Sequence, residues 1–392
     1  MESTFQTVLR KPAMFLRKSS RAKYIAVILC LVAGGLRFPE VGAATYAIIT
    51  IDVCWTCGDD FQGTWNGKDY GIPLIVEKLR AHGFNGTFFV APYCPADLKN
   101  KMLSNLKFLL AHGQDVQLHT HPDVFDPSRK NLSMYSKNEK REILATGIRV
   151  LQEAGAPRPI AHRAGQLCID QEMFELLAEF GIPIDSSIYT HFVDCGAPLP
   201  ENVINRFAKI GDVYELPIFL IRTVPYIGHA GTTALQFDST TWWQQKLALE
   251  QVADRKLPLV TIFLHFFSLY DRVTPDKRFD PFKVLGPNDC NIRALDNILR
   301  MLKTDERFKV VTIRELWDIH NQDPSQLDGP SFIPYPGLLP TYARSWKYLF
   351  NGSVTNIIVL VSPLIPLSVA VILALMWRKR TLSTGSRTRK ND

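Results

Sequence analysis

No internal repeat runs through the 392 residues of this chain, and its middle lacks the positive charge that the overall balance of +7 suggests. Six Lys or Arg against Glu2 occupy residues 1–23, and six against Asp392 occupy residues 378–392, which leaves residues 24–377 at −3. A core without a basic surplus argues against nucleic acid as a partner, because phosphate recognition needs clustered cations. A lipoprotein-type cysteine is also missing, since Cys30 sits inside an apolar run rather than after a box of small residues.

Long uncharged stretches are few, and two lie near the ends. Residues 24–36 (YIAVILCLVAGGL) are short for a spanning helix but suit the apolar part of a secretory signal, with small residues at Val41-Gly-Ala43. An uncleaved signal anchor is the alternative. Residues 357–377 hold no charge and are followed at once by Arg378-Lys-Arg380, the pattern of a transmembrane helix with a cytoplasmic basic flank. The expected layout is a basic N-terminus and signal over 1–44, a main domain over 45–320 and a proline-rich stalk over 321–355. A transmembrane helix over 356–377 and a cytoplasmic tail over 378–392 complete it. This places the protein in a membrane by a single C-terminal pass, with the main domain on the non-cytoplasmic side. Setting Cys30 aside, six cysteines remain, which in an exported domain permits three disulfides in 15 connectivities. The sequons at Asn85, Asn131 and Asn351 are meaningful only in a eukaryotic source. Nothing in the sequence indicates an oligomeric state.

From Tyr46 onward the pattern is α/β. Residues 46–52 (YAIITID) form a continuous apolar run ending on an acid, the mark of a strand buried on both faces. Helical stretches at 72–82, 97–112, 136–154, 170–180, 240–254 and 291–303 alternate with strands at 87–90, 115–118, 160–163, 183–187, 259–266 and 308–313. Ser136 with Glu139 three residues on reads as a capping box. Repeated strand-helix pairs of this kind predict a parallel, right-handed arrangement, most simply a distorted (β/α) barrel.

In such a fold chemistry gathers at the carboxyl ends of the strands. Asp52, the stretch His119-Thr-His121-Pro-Asp123, Arg163, Asp185 and His265 all fall there. Two imidazoles and a carboxylate within five residues can converge on one divalent cation. His119 and His121 share a face if the chain is extended, and Asp123 joins His119 if it turns at Pro122. Each residue alone has an ordinary structural explanation, but five strand ends bearing ionisable groups suit an activated water with a base and an acid.

Thr50-Ile-Asp52, Asn85-Gly-Thr-Phe-Phe89, Leu118-His-Thr-His121-Pro-Asp123, His162-Arg-Ala-Gly165, Gly181-Ile-Pro-Ile-Asp-Ser-Ser187 and Phe263-Leu-His265 stand in a fixed order. That order resembles the polysaccharide deacetylases, the NodB homology domain of carbohydrate esterase family 4, over roughly residues 45–320. The resemblance implies a NodB-like deformed (β/α) barrel and a divalent metal, usually zinc, that polarises an N-acetyl carbonyl of a glycan. By the same resemblance Asp52 is the general base, His119 a metal ligand, Arg163 the support of the base and His265 the general acid. Asp185 lies near the expected partner acid.

This chain departs from the family in its first motif, where a second acid normally ligates the metal and Val53 and Cys54 stand instead. Its second motif has Asp123 where a histidine is usual, and an extra His121. Cys54 is then a thiolate ligand beside His119, His121 and Asp123, or it is oxidised with Cys57 or another cysteine, or the metal is lost. Asp59 and Asp60 are candidate replacement carboxylates. The alternatives to a metal-dependent deacetylase are a catalytically impaired domain that binds glycan or acts as a scaffold, and a metal-independent amidase. The aromatics Trp55, Trp65, Tyr93, Trp242, Trp243, Phe266 and Phe267 are candidates for a sugar groove or for plain packing.

Overall fold

The computed structural model describes residues 44–337, apart from Trp55, 122–124, Pro127, 190–194, 196–202, 224–230 and 274–282. The first apolar run folds as β1 (Thr45–Val53), buried at every position. A strand without polar alternation must be covered on both faces. It is the hub of the sheet and pairs in parallel with three others: β2 (Thr87–Val90), β8 (Leu259–His265) and β9 (Phe308–Val310). Beyond β2 the sheet continues through β3 (Asp115–Thr120), β4 (Ala161–Ala164), β5 (Ile184–Asp185) and β7 (Val213–Glu215), all parallel. The short β6 (Ala208–Ile210) ends it as an antiparallel edge on β7.

Helices return the chain between strands: α1 (Ile72–Ala81), α2 (Lys99–Ala111), α3 (Lys137–Glu153), α4 (Gln171–Glu179), α5 (Trp242–Asp254), α6 (Asp289–Thr304) and α7 (Ile313–Gln322). The Ser136–Glu139 capping box forms at the start of α3, and Asp170 caps α4 through the Met173 amide. Leu79, Leu106, Leu144, Leu177 and Leu299 place apolar faces of five helices in one core with β1, which accounts for the 3.6-residue spacing of those leucines' neighbours.

The sheet curls without closing by ladder alone. Between β7 and β8 a hairpin (Leu220–Arg222 with Thr232–Ala234) bridges the gap. Beside it the Leu235 amide donates to Phe219, and the Phe263 amide donates to Leu235. The result is the distorted β/α barrel that strand-helix alternation predicts, with strands up to three residues shorter or two longer than the pattern suggests. Two ribbons escape that pattern: Thr64–Trp65 with Lys68–Asp69, and Tyr270–Val273 with Lys283–Pro287. Their strands are too short or too exposed for period-2 alternation to register.

The expected membrane localisation needs correction. Among the described residues no helix is long and apolar enough to cross a membrane. The apolar segments at 24–36 and 357–377, on which the signal and the anchor rest, lie outside the described residues, as does the basic tail at 378–392. The C-terminal pass is therefore withdrawn. The first part of the expected stalk packs on the barrel: Leu327 is buried, Arg222 donates to the Pro334 carbonyl at 2.7 Å, and the Asn205 amide donates to the Phe332 carbonyl at 2.8 Å.

Candidate active site

Parallel register aligns the strand ends. Asp52 lies beside His265 across β1 and β8, His119 beside Arg163 across β3 and β4, and His162 beside Asp185 across β4 and β5. The same alternation that buries Ile49 and Ile51 on one face of β1 turns Thr50 and Asp52 to the other, toward the barrel interior.

Arg163 is fully buried, and each of its donors has a partner. Nη1 donates to Asp52 Oδ1 at 2.7 Å, Nη2 to Ser186 Oγ at 2.8 Å and Nε to the Ser186 carbonyl at 2.8 Å. The guanidinium lies over the Phe89 ring, 4.1 Å from its centroid. A planar fork fixed at three points orients the carboxylate it holds. Burial alone would raise the Asp52 carboxyl, but the neighbouring groups, the Arg163 charge foremost, outweigh it and hold it below the usual carboxylate range. Asp52 is therefore ionised at neutral pH, as a base must be.

His119 donates Nδ1–H to the Arg163 carbonyl at 2.8 Å, which leaves the lone pair on Nε2. Nε2 stands 3.6 Å from the Cys54 sulfur and 4.0 Å from Asp52 Oδ2. Burial pushes the imidazole down to about 3, so His119 is neutral and able to ligate. The donor atoms of Cys54, His119 and His121 all lie within 4.8 Å of one another. His121 is carried just past β3, where Gly165 passes so close that a Cβ there would stand 2.6 Å from the Thr120 carbonyl oxygen. Asp123, the other candidate from this stretch, lies outside the described residues.

The disulfides are Cys57–Cys94 and Cys168–Cys195, and neither includes Cys54. This removes the reading in which Cys54 is oxidised with Cys57. Asp59 is exposed and paired with Lys101, and the Asp60 carbonyl accepts from the Tyr270 hydroxyl. Neither aspartate lines the cavity that His119 and Cys54 line. One thiol and two imidazoles suit zinc, whereas magnesium and calcium favour oxygen donors.

His265 donates Nδ1–H to Asp238 Oδ2 at 2.7 Å, and Gln236 Nε2 donates to the same carboxylate oxygen at 3.1 Å. Burial opposes the Asp238 charge, but the hydrogen bond and charge of His265, with Gln236 and Ser268, keep it ionised below the usual range. The imidazole is stacked on Phe267, with 4.7 Å between ring centroids. No sequence motif marks Asp238. It comes from the irregular 191–240 region, and it occupies the role of partner to His265 that the resemblance suggested for Asp185.

Asp185 lies elsewhere, in a buried chain behind the site. It accepts from His162 Nδ1 at 2.7 Å and from the Ser187 hydroxyl at 2.9 Å, while Thr120 Oγ1 meets His162 Nε2 at 2.9 Å. Glu215 stands next to it, raised well above the carboxylate range by burial and then by the Asp185 charge, so Glu215 is protonated and donates to Asp185. Asp185 thus anchors the Ser186–Ser187 segment that holds Arg163.

These groups surround a cavity of about 340 Å³ lined by Asp52, Cys54, His119, His121, His265 and Phe267, among others. Gln166 and Leu167 form part of its rim with φ of +56° and +55°. Two consecutive non-glycine residues in the left-handed region mark a strained loop of the kind kept at binding sites. Of the expected groove aromatics Phe267 lines this cavity, while Phe266 is buried in the core and Trp243 is exposed. Trp55 lies outside the described residues.

No model of a known protein family matches the sequence, and no curated protein matches it. Solved structures do. One is a protein from Mycobacterium smegmatis assigned as a polysaccharide deacetylase, 15% identical over 77% of this chain and 98% of that one, with a TM-score of 0.46. The peptidoglycan deacetylase PdaC from Bacillus subtilis is 14% identical over 72% and 95%, at 0.36. A CE4-family pseudoenzyme from Bacillus anthracis is 16% identical over 70% and 65%, at 0.38. All three are of the kind that the ordered motifs resemble.

Proposed function

We propose that this protein is a metal-dependent hydrolase that removes the acetyl group from an N-acetylated glycan. The observation that carries the reading is the convergence on one cavity of an ionised base with its arginine, a thiol–imidazole cluster, and a histidine backed by a carboxylate. Cys54, His119 and His121 would hold the metal, with Asp123 as a further ligand from the same stretch. Bound there, zinc supplies a Lewis acid for the acetamide carbonyl and lowers the pKa of a water.

The chain's own groups do the rest. Asp52, held by Arg163, takes the proton of the attacking water as its oxygen bonds to the acetyl carbon. His265, charged when both ring nitrogens carry protons and steadied by Asp238, gives a proton to the departing nitrogen as the C–N bond breaks. Acetate and a free amine result. Removing a general base costs typically about 10²- to 10⁴-fold. Asp52→Asn should therefore lower the rate of acetate release from N-acetylglucosamine oligomers by about that factor while leaving their binding in place. Failure of the zinc-loaded parent to release acetate from any such oligomer would sink the proposal.

A second reading, a domain that binds glycan without hydrolysing it, draws on Cys54 standing where a metal-binding acid is usual. Oligomer binding without acetate release at any metal loading would favour it. Acetate release that survives full chelation would instead favour a metal-independent amidase.

A further inference from the structure

The ribbon of Tyr270–Val273 with Lys283–Pro287, which sequence pattern does not mark, helps to build a second cavity beside the first. Its volume is about 460 Å³, larger than that of the catalytic cavity, and Phe267 lines both. Asp238, whose carboxylate holds His265, also reaches its wall. The opposite walls are the Tyr270–Val273 strand and the start of α6, with Asp271, Arg272, Asp289 and Cys290. Asn288 ties the walls together: its side chain caps α6 through the Asn291 amide and donates to Asp271 at 2.8 Å. Arg272 Cζ lies over the Phe267 ring, 3.6 Å from its centroid, so the partition between the cavities is a ring in contact with both His265 and a guanidinium. Trp65 of the other ribbon closes on the hairpin at Gly286, where a Cβ would stand 3.8 Å from the indole, and it is 36% exposed.

A cavity with aromatic and hydrogen-bonding walls, separated by one shared ring from a site for an acetamido sugar, has the form of a place for the neighbouring sugar. Its charge narrows the class. Two carboxylates (Asp271 and Asp289) face one guanidinium across the lining, and a third, Asp238, is paired with His265. A carboxylate-bearing sugar placed there meets like charge, whereas a neutral or amine-bearing hexosamine does not.

We propose that the cavity between the Tyr270–Val273 hairpin and α6 binds the sugar unit next to the one deacetylated, and that it selects a neutral or amino sugar over an acidic one. This rests on the deacetylase reading and adds a substrate class to it: a homopolymer of N-acetylhexosamine rather than a glycan alternating with carboxylate-bearing units.

The test uses two exposed positions outside the catalytic groups. Cys290→Trp fills the cavity from α6, and Asp271→Lys reverses one of its charges. Binding is followed by calorimetry, and acetate release in parallel, with N-acetylglucosamine, its tetramer, and a tetramer in which alternate units carry a lactyl carboxylate. Cys290→Trp should weaken the neutral tetramer about tenfold or more, about 1.4 kcal/mol, and leave the monosaccharide within about twofold. Asp271→Lys should narrow the preference for the neutral over the acidic tetramer by about threefold. A parent that binds and deacetylates the neutral tetramer, with both variants unchanged, overturns this inference and leaves the deacetylase reading standing. A parent that prefers the acidic tetramer overturns it as well. A parent that neither binds nor deacetylates either tetramer overturns both.

Discussion

Arg163 is the residue on which the site depends most, because it is buried and its donors serve Asp52 and the Ser186 backbone together. Removing one partner of a buried pair leaves an uncompensated charge and costs about 3–5 kcal/mol. Arg163→Gln should therefore destabilise the protein by about that amount in denaturant unfolding at pH 7, with part recovered when Asp52→Asn is added. Because the folded carboxyl of Asp52 lies below its unfolded value, its contribution is present above the ordinary carboxylate range and is lost as pH falls through the folded pKa. The penalty of Arg163→Gln should shrink accordingly in acid, and a penalty that is constant from pH 7 to pH 3 would refute this assignment. Asp52, His119, His121, Arg163 and His265 could be picked from sequence because each follows a recognisable apolar strand. Asp238 could not, since no periodicity precedes it and its partner His265 is 27 residues away.

At the scale of elements, β5 and β7 carry a device that the sequence hid. Their register sets Asp185 beside Glu215, two acids that share a proton in a dry interior and together fix the loop holding Arg163. β5 is only two residues long, so no alternation told which way Asp185 points, and a strand-end acid was naturally read as catalytic. Glu215 has a folded pKa raised above its unfolded value. Its native state then binds the extra proton, and stability falls as pH rises from the ordinary glutamate range toward the folded pKa. Gln keeps the donor to Asp185 and the acceptor for the Ile188 amide but cannot ionise. Glu215→Gln should gain stability relative to the parent between pH 5 and pH 8, as followed by thermal or denaturant melts at several pH values. A difference that stays flat or reverses would show that Glu215 is already ionised in the native protein.

For the whole molecule, the β/α alternation was legible in apolar runs, caps and turn glycines, because a parallel sheet covered on both faces writes itself as uninterrupted hydrophobic strands. The ribbons at 64–69 and 270–287 were not legible, being short and exposed, yet the second of them lines the cavity next to the one that Asp52 and His119 line. Charge at the two ends says little about the barrel, and the apolar segments near those ends remain features of the sequence alone. What unites the barrel's strand ends is a cluster of one thiol and two imidazoles, proposed here to hold a cation, with Asp52 at its edge. The most direct test is the zinc content of the purified protein, kept reduced, beside its His119→Ala and Cys54→Ser variants after dialysis against a weak chelator. About one zinc per chain is expected in the parent, lost from His119→Ala and held more weakly by Cys54→Ser. A parent that retains no zinc, or a His119→Ala variant that retains as much as the parent, would contradict that expectation.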